Sequence, residues 1–422
     1  MEVAAMLKSL SASPLRLSFI LTAFLLQSLH ADADPEDSFN ISAGAGIQFE
    51  DNLFRLPDSA NTRAALGKSQ RSDQIYTTNL GFKYNKGYSL QRFELDAGVI
   101  DNKYDTYDYL DYTAFNYRAA WNWSLTPNIT GLLMADQQQV LNSFSDFRDL
   151  NNNLLRSRSI QTSQSRVFTI DGFIGGGWHL LGGLSEIRSR NSETFNAVGD
   201  YVQRGVEAGV KYVTRADTSM SLIQRGSKGD YRGRPLDGPS QLDTGFDQKE
   251  TEARIIWQVT GKSRIDAKLG HISRDHDNFS SRDYDGAIGR LAHIWTPTGK
   301  LRINTSISRN LYSFQQLSNS YYEADTFAIS PIWQVTPKTN LRLIYDYSRR
   351  DYDGAITPVA DERKDKVHSL VFAAEWEPTR TILVTASVRR EKRDSNFNTP
   401  ASPEGDLTYD ANSANISAQI LF

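Results

Sequence analysis

The densest group of possible metal ligands in the chain lies between residues 270 and 286. His271 and His276 are accompanied there by four aspartates, at positions 275, 277, 283 and 285. Imidazole and carboxylate groups are common metal ligands, so a metal site is conceivable. The same composition also fits a strand end that runs into a polar loop. We favour the loop, and we predict neither a metal site nor any other cofactor.

The other candidates for catalysis are weaker. Glu50 and Asp51 are adjacent carboxylates, but successive residues of a strand point to opposite faces, which argues against a shared acid-base site. Serine, histidine and aspartate are not grouped as a nucleophile would need, and no glycine-rich loop leads into a helix that could bind phosphate. The sequence therefore does not predict an enzyme.

Arginine and acidic residues recur together, often beside tyrosine, in four stretches at 274–275, 282–285, 349–353 and 389–394. Around the mouth of a barrel, guanidinium groups and aromatic faces would suit a polyhydroxylated and acidic polymer. The alternative is that opposite charges pair across neighbouring strands and keep the rim soluble. For any single residue we favour pairing.

These charged stretches adjoin segments in which apolar and polar residues alternate. From Ser413 to Phe422, alanine, isoleucine and phenylalanine share one face and polar residues the other, with Leu421 as the exception. Residues 264–269 and 301–308 alternate in the same way. A membrane barrel requires this pattern because one face of each strand meets lipid and the other meets the lumen. A soluble β-sandwich would also alternate, so the pattern alone does not separate the two.

An aromatic residue precedes a short turn eight times, at intervals of roughly 35 to 55 residues. Eight hairpins supply about sixteen strands, and one further strand at each end gives about eighteen. The predicted fold class is therefore all-β: a transmembrane antiparallel up-and-down β-barrel with both termini periplasmic. A barrel of this size is wide enough for a water-filled lumen.

Within this barrel, the aromatic residues before the turns are predicted to form a girdle at the periplasmic membrane interface, where amphipathic rings are favoured. They are Tyr84, Trp123, Trp178, Tyr212, Trp257, Trp295, Trp333 and Trp376. Arg302, Arg342 and Arg350 are predicted to face the lumen. The longer, more charged connections are predicted to lie outside the cell, at 54–71, 142–158, 226–247, 275–282, 354–365 and 396–406.

The N-terminus reads as an export signal. Lys8 and Arg16 precede an apolar run at 17–26, and Ala31-Asp32-Ala33 is a small-residue site of the type cleaved after export. We predict a signal peptide at 1–33 and one barrel domain at 34–422, located in the bacterial outer membrane and in contact with its lipid.

Composition limits the remaining functions. The chain contains no cysteine, which excludes disulfides and thiolate chemistry. Its formal net charge of -3 gives no indication of a nucleic-acid partner, which would call for a concentrated basic surface. Phe422 ends an alternating strand, and such a terminal aromatic resembles the signal that the assembly machinery of bacterial outer-membrane barrels recognises. We therefore expect that machinery to be a partner.

The first strand carries a more specific resemblance. Residues 39–49 alternate with glycine and lead into Glu50-Asp51-Asn52-Leu53-Phe54-Arg55-Leu56. This stretch resembles the EpsL family, outer-membrane proteins associated with exosortase B and extracellular polysaccharide biosynthesis. The resemblance implies a role in exopolysaccharide export, with periplasmic export components as partners, and points to Asp51, Asn52, Phe54 and Arg55. These residues would either fold into the lumen or form a loop plug that stabilises the barrel.

Three functional classes follow from these observations. The first is a barrel that takes part in exopolysaccharide biosynthesis or export, as a pore or as a component of the machinery. The second is a general or sugar-selective diffusion porin, which would be expected to fold a long loop inward; the loops of this chain are only moderate in length. The third is a structural or adhesive barrel that does not conduct.

Overall fold

The computed structural model describes residues 39–359, 361–397 and 405–422. Most of these residues are in strands. The strands are β1 (Phe39–Glu50), β2 (Asp73–Tyr88), β3 (Gln91–Tyr104), β4 (Tyr112–Thr126), β5 (Ile129–Leu141), β6 (Ile160–Gly175), β7 (Trp178–Asn191), β8 (Tyr201–Val213), β9 (Ser219–Tyr231), β10 (Gly245–Thr260), β11 (Ser263–His276), β12 (Tyr284–Thr298), β13 (Leu301–Ser313), β14 (Tyr321–Thr336), β15 (Thr339–Asp353), β16 (Lys364–Thr379), β17 (Ile382–Ser395) and β18 (Tyr409–Leu421).

Each strand pairs antiparallel with its neighbours in sequence, and β1 pairs with both β2 and β18. The sheet is therefore a closed ring of eighteen strands, which confirms the predicted all-β barrel and its strand count. Closure leaves no strand edge unpaired, as a structure surrounded by lipid requires.

The two ends of the barrel differ in their connections. Eight turns lie at one end, which we call the short-turn end. Nine longer connections lie at the other, the long-loop end: L1 (51–72), L2 (105–111), L3 (142–159), L4 (192–200), L5 (232–244), L6 (277–283), L7 (314–320), L8 (354–363) and L9 (396–408). Residue 360 of L8 and residues 398–404 of L9 lie outside the described chain.

The loop predictions need two corrections. The expected connection at 226–247 is shorter, because β9 continues to Tyr231 and β10 already begins at Gly245. The ends of these two strands are rich in charged residues and glycine, as loops are, although inward-facing and outward-facing residues still alternate along them. L2, L4 and L7 were not predicted as long connections, and each has fewer than ten residues.

A repeated threonine–lysine pair shapes several short turns. The hydroxyl of Thr260 accepts a hydrogen bond from the backbone of Lys262 at 3.2 Å, and Thr336 and Lys338 do the same at 3.2 Å. Each turn also bonds to the next hairpin, since the Lys338 carbonyl accepts from the backbone of Glu377 at 2.8 Å. These local bonds satisfy backbone groups that a tight turn leaves free.

Helical structure is confined to short pieces of the loops. The longest described helix, α1 (Thr62–Leu66), lies in L1; Asn61 caps its start, and Gly67 ends it with a φ of 72°. Glycine adopts this left-handed conformation without steric cost. Nowhere in residues 39–359, 361–397 and 405–422 does a helix have the length and apolar character of a membrane span.

Candidate functional site

The resemblance motif lies where L1 leaves β1, and its polar residues hold that loop against β18. The Asp51 carboxylate accepts hydrogen bonds from the backbone and side chain of Asn412, both at 2.7 Å. The Asn52 amide donates to the carbonyl of Leu56 at 2.8 Å and to that of Asp410 at 3.0 Å. Asn52 is buried, so these bonds satisfy a polar group that is shielded from water.

The guanidinium group of Arg55 joins two carboxylates from different strands. Its Nη1 lies 2.8 Å from Glu50 on β1, and its Nε lies 3.2 Å from Glu391 on β17. Tyr409 donates a further hydrogen bond to Glu391 at 2.7 Å. Arg55 therefore anchors L1 to the ends of β1 and β17. The side chain of Asp51 points to the opposite side from that of Glu50, as expected for successive residues of an extended chain.

Phe54 belongs to an aromatic core that joins several loops and strand ends at the long-loop end. The core runs through Phe54 of L1, Phe144 and Phe147 of L3, Phe195 of L4, Phe314 of L7 and Tyr352 of β15. Ring pairs that connect different elements have centroids 4.4 to 6.3 Å apart. Loops that share a hydrophobic core do not extend independently into water, so this core holds them over the mouth of the barrel.

L3 is fixed on the far side of the mouth by a buried ion cluster. Its Asp146 lies 3.2 Å from Arg350 of β15, 3.1 Å from Arg393 of β17 and 4.0 Å from Arg363 of L8. Arg393 and Arg363 also bind Asp365, at 2.6 and 2.8 Å. L3 begins at the end of β5. Counted around the ring from β5, β1 is four strands away and β17 is six strands away. L3 therefore crosses the mouth.

The charge of Asp146 follows from this environment. Burial acts to raise the pKa of its carboxyl group, but Arg350, Arg393 and Arg363 outweigh burial and lower the pKa to about 2. The carboxyl group is therefore ionised at neutral pH. We call Asp146 and its three arginines the L3 latch.

A second buried arginine connects L5, L6 and L7. Arg282 of L6 is fully buried and donates to the carbonyls of Ser240 at 2.7 Å, Gln316 at 2.7 Å and Asn319 at 2.9 Å. The backbone of Gln315 in L7 also donates to Ala197 of L4 at 2.6 Å. L7 thus meets the other loops over the mouth instead of pointing into solvent.

Below the loops, the wall formed by β12, β13 and β14 has a distinctive inner face. The strand register places Arg290, Asn304, Ser306, Ser308 and Thr326 there, and no acidic residue of these three strands shares that face. Arg302 also faces inward and is exposed, so its guanidinium group meets the lumen. Arg342 on β15 faces inward as well, but it is largely buried beside Glu375 at 3.5 Å.

The predicted girdle residues share the outward face near the short-turn end. Trp178, Trp257, Trp295, Trp333 and Trp376 have 44 to 52% of their surface exposed. Tyr84 and Tyr212 are partly buried on the same face. Trp123 differs, with 9% exposed, because its ring stacks on Phe168 at 5.8 Å over the space that Gly131 leaves open.

The histidine–aspartate segment does not assemble a metal site. His271 points outward from β11, whereas His276 is buried on the inner side against Asp283 at 3.3 Å. Among the described residues, no group of three or more histidine, aspartate or glutamate side chains is arranged to hold a metal ion.

Sequence reasoning missed the residues that fix the mouth. Asp146 was seen only as part of the charged connection at 142–158, Arg282 only as a member of the charged stretch 282–285, and Gln315 and Asn319 were not singled out. One available signal was the recurrence of phenylalanine inside the connections, since aromatic residues in loops gain stability by packing. Arg350, which was predicted to face the lumen, is on the inner face but is taken up by the L3 latch.

The closed eighteen-strand ring, with its apolar outer face and polar inner face, defines an outer-membrane β-barrel. The profile of the family described as "Putative beta-barrel porin 2" matches residues 193–414, and the chain belongs to this family. The protein is accordingly a porin-like barrel of the bacterial outer membrane.

Solved structures with a similar barrel come from Pseudomonas aeruginosa. OpdK, solved with vanillate, is 11% identical with a TM-score of 0.49, and the match covers 91% of this chain and 99% of that one. OccK9 (OpdG) is 13% identical with a TM-score of 0.47, covering 91% and 98%. The siderophore receptor PirA is 10% identical with a TM-score of 0.42, covering 92% and 81%. No curated protein matches the chain.

Proposed function

We propose that the protein is a diffusion porin for small hydrophilic solutes, with the long-loop end facing the cell exterior and L3 forming a constriction there. The observation that carries this proposal is the path of L3 across the mouth to the Asp146 cluster. Loops that cross the mouth narrow the route into the lumen, and the charged groups along this route select among solutes.

The family match and the inner wall support the same function. The family description is that of a porin. The inner faces of β12 to β14 carry small hydroxyl and amide side chains with two arginines, Arg290 and Arg302, which would offer hydrogen bonds to a passing hydrophilic solute.

Exopolysaccharide export, which the EpsL resemblance implies, is the competing hypothesis. The family match supports a porin-like barrel and gives no evidence for a polysaccharide. A polymer would also have to displace several packed loops at once, because L1, L3, L4 and L7 share one hydrophobic core. Export therefore requires a mobile mouth, whereas diffusion of small solutes requires only a narrow passage.

Solute uptake into liposomes separates these functions. Residues 34–422, refolded into liposomes, are tested with neutral and acidic sugars from one to about eight units long. We expect mono- and disaccharides to enter and longer oligomers to be excluded. Entry or channel block by the longest acidic oligomers alone would favour export. Liposomes that remain closed to both sugars and salt would contradict a porin and favour a structural barrel.

A further inference from the structure

A row of charged side chains crosses the lipid-facing surface between β6 and β11. Its members are successive cross-strand partners: Arg166, Glu186, Arg204, Lys228, Asp247 and Asp275. We call them the boundary row. They share the outward face with Phe168 and Leu184, so their charges point away from the lumen.

The boundary row lies at the edge of the apolar belt. The next outward-facing residues toward the short-turn end, on β5 to β9, are successive cross-strand partners: Leu133, Phe168, Leu184, Val206 and Gly226. From Trp178 near the short turn to Glu186 is about 26 Å along β7, or roughly 20 Å of height for a tilted strand. The charges are therefore at the level where hydrocarbon ends and lipid headgroups begin.

The charges in this part of the surface do not balance. Within the part of the boundary row that lies on β6 to β9, Glu186 is the only acidic residue. Three arginines bind its carboxylate: Arg166 at 3.1 Å, Arg188 at 2.9 Å and Arg204 at 2.9 Å. Lys228 is exposed and has no ion pair within the described residues. Three arginines thus share the Glu186 carboxylate, which leaves guanidinium donors for another anion, whereas Lys228 lies opposite Asp247 of β10.

The opposite side of the barrel shows what a balanced surface looks like. Arg309 binds Asp325 at 2.6 Å, Arg349 binds Asp351 at 3.0 Å, and Arg390 donates to Asp410. These pairs also face outward near the long-loop end. Since each of these three arginines has its own carboxylate, the sharing of Glu186 by three arginines is not a general property of the rim.

A groove lies directly beneath the surplus cations. It has a volume of about 820 Å³, and its lining includes Phe168, Leu184 and Val206 beside Arg166, Arg204 and Lys228. Gly226 leaves space in it, because a Cβ atom at that position would meet no atom within 4 Å. The lining also contains Glu186, Asp247 and Asp275, which the cations Arg166, Arg204, Lys228 and Lys249 outnumber by one. The groove therefore combines an apolar floor with a charged upper edge in which cations are in excess.

We propose that this groove binds a phosphorylated glycolipid of the outer leaflet, with phosphates on the boundary row and an acyl chain along the apolar floor. Guanidinium groups bind phosphate with paired hydrogen bonds, which matches Arg166 and Arg204. From Arg166 to Lys228 is three strand spacings, or about 14 Å, which is wide for a single phosphate. The geometry points to a lipid with two phosphate groups. This inference rests on the proposed orientation, and it does not depend on whether the barrel conducts.

Native mass spectrometry of the purified barrel in detergent tests this site. The probe is hexa-acyl lipid A with two phosphates, compared with its form lacking both phosphates and with phosphatidylglycerol. The variant combines Arg166→Gln, Arg204→Gln and Lys228→Gln. The matched control neutralises three cations on the opposite side: Arg309→Gln, Arg349→Gln and Arg390→Gln. Compact migration in unheated gels verifies that every variant is folded.

We expect the first variant to bind bisphosphorylated lipid A roughly tenfold more weakly than the unaltered protein, and the control to bind within about twofold. The unaltered protein should prefer this lipid to both comparison lipids. Equal binding by the two variants would overturn the site, and equal binding of phosphatidylglycerol would overturn the lipid class. A dimer that forms through this surface and excludes lipid would also overturn the proposal. Conductance plays no part in this measurement, so its outcome is separate from that of the uptake experiment.

Discussion

The carboxylate of Asp146 lies 3.1 Å from Nη1 of Arg393, a contact that joins a loop between β5 and β6 to strand β17. The residues are 247 positions apart in the chain. Together with Arg350 and Arg363, Arg393 makes Asp146 the point at which L3 is held after crossing the mouth. Asp146 is therefore the single carboxylate that ties L3 to β15, β17 and L8, in addition to the packing of Phe144 and Phe147 in the aromatic core.

Replacing Asp146 by asparagine should release L3. Three arginines would lose their shared carboxylate, and removing one partner of a buried ion pair costs about 3–5 kcal/mol. We expect larger and noisier single-channel currents in planar bilayers. Asp149→Asn is the matched control, because Asp149 lies in the same loop and its side chain bonds only within L3. Equal currents from both variants would show that the L3 latch does not limit the opening.

The same carboxyl group gives the channel a defined pH dependence. The pKa of Asp146 falls from its ordinary 3.8 to about 2 in the folded protein. A lowered pKa means that the ionised carboxylate stabilises the closed loop fully above about pH 4, and that this stabilisation is lost as pH falls through about 2. Currents should therefore be steady from pH 8 to 5 and increase only in strong acid. Asp146→Asn should remove this step; a step that persists in the variant would assign it to another group.

The arginines of the inner wall should favour anions. Arg290→Gln combined with Arg302→Gln removes both cations from the inner faces of β12 and β13, where no acidic residue of these strands offsets them. We expect the chloride-to-potassium permeability ratio to fall by roughly twofold or more, measured as a reversal potential across a salt gradient. Arg309→Gln is a suitable control because Arg309 lies on β13 but faces outward. If the control shifts the ratio as much as the pair does, the lumen assignment is wrong.

Arg55→Ala should loosen L1. Glu50 and Glu391 would lose the guanidinium group that lies 2.8 and 3.2 Å from them, at a cost of about 3 kcal/mol or more. Faster hydrogen exchange of L1 amides should follow, and adding Glu50→Gln should recover part of the protection. Arg63→Ala serves as the comparison, since Arg63 is exposed in the same loop. Unchanged exchange in Arg55→Ala would contradict the anchor role.

The barrel could be predicted from the sequence because a strand repeats every two residues. Ala414, Ile416 and Ala418 face outward and Asn415 and Ser417 face inward, as the alternation indicates. Such a pattern depends only on near neighbours in the chain. The strand count followed in the same way, from eight hairpins whose two arms are close in sequence.

The mouth could not be predicted, because its contacts join residues that are distant in sequence. Arg393 has 1% of its surface exposed and Asp365 has none, although both lie in charged stretches that suggest a solvated rim. Arg393 joins Asp365 to Asp146, which no local pattern connects to either residue. Trp123 illustrates the same limit, since its stacking on Phe168 depends on the missing side chain of Gly131.

The pairing of β1 with β18 also makes closure of the ring depend on residues from the two ends of the described chain. Ile41 and Phe422 exchange two backbone hydrogen bonds, at 3.2 and 2.8 Å, where the first and last strands meet. A nascent chain that lacks residues 409–422 would therefore have two open sheet edges, on β1 and β17, which could pair with other chains. Addition of β18 covers both edges, because it pairs with β1 on one side and with β17 on the other.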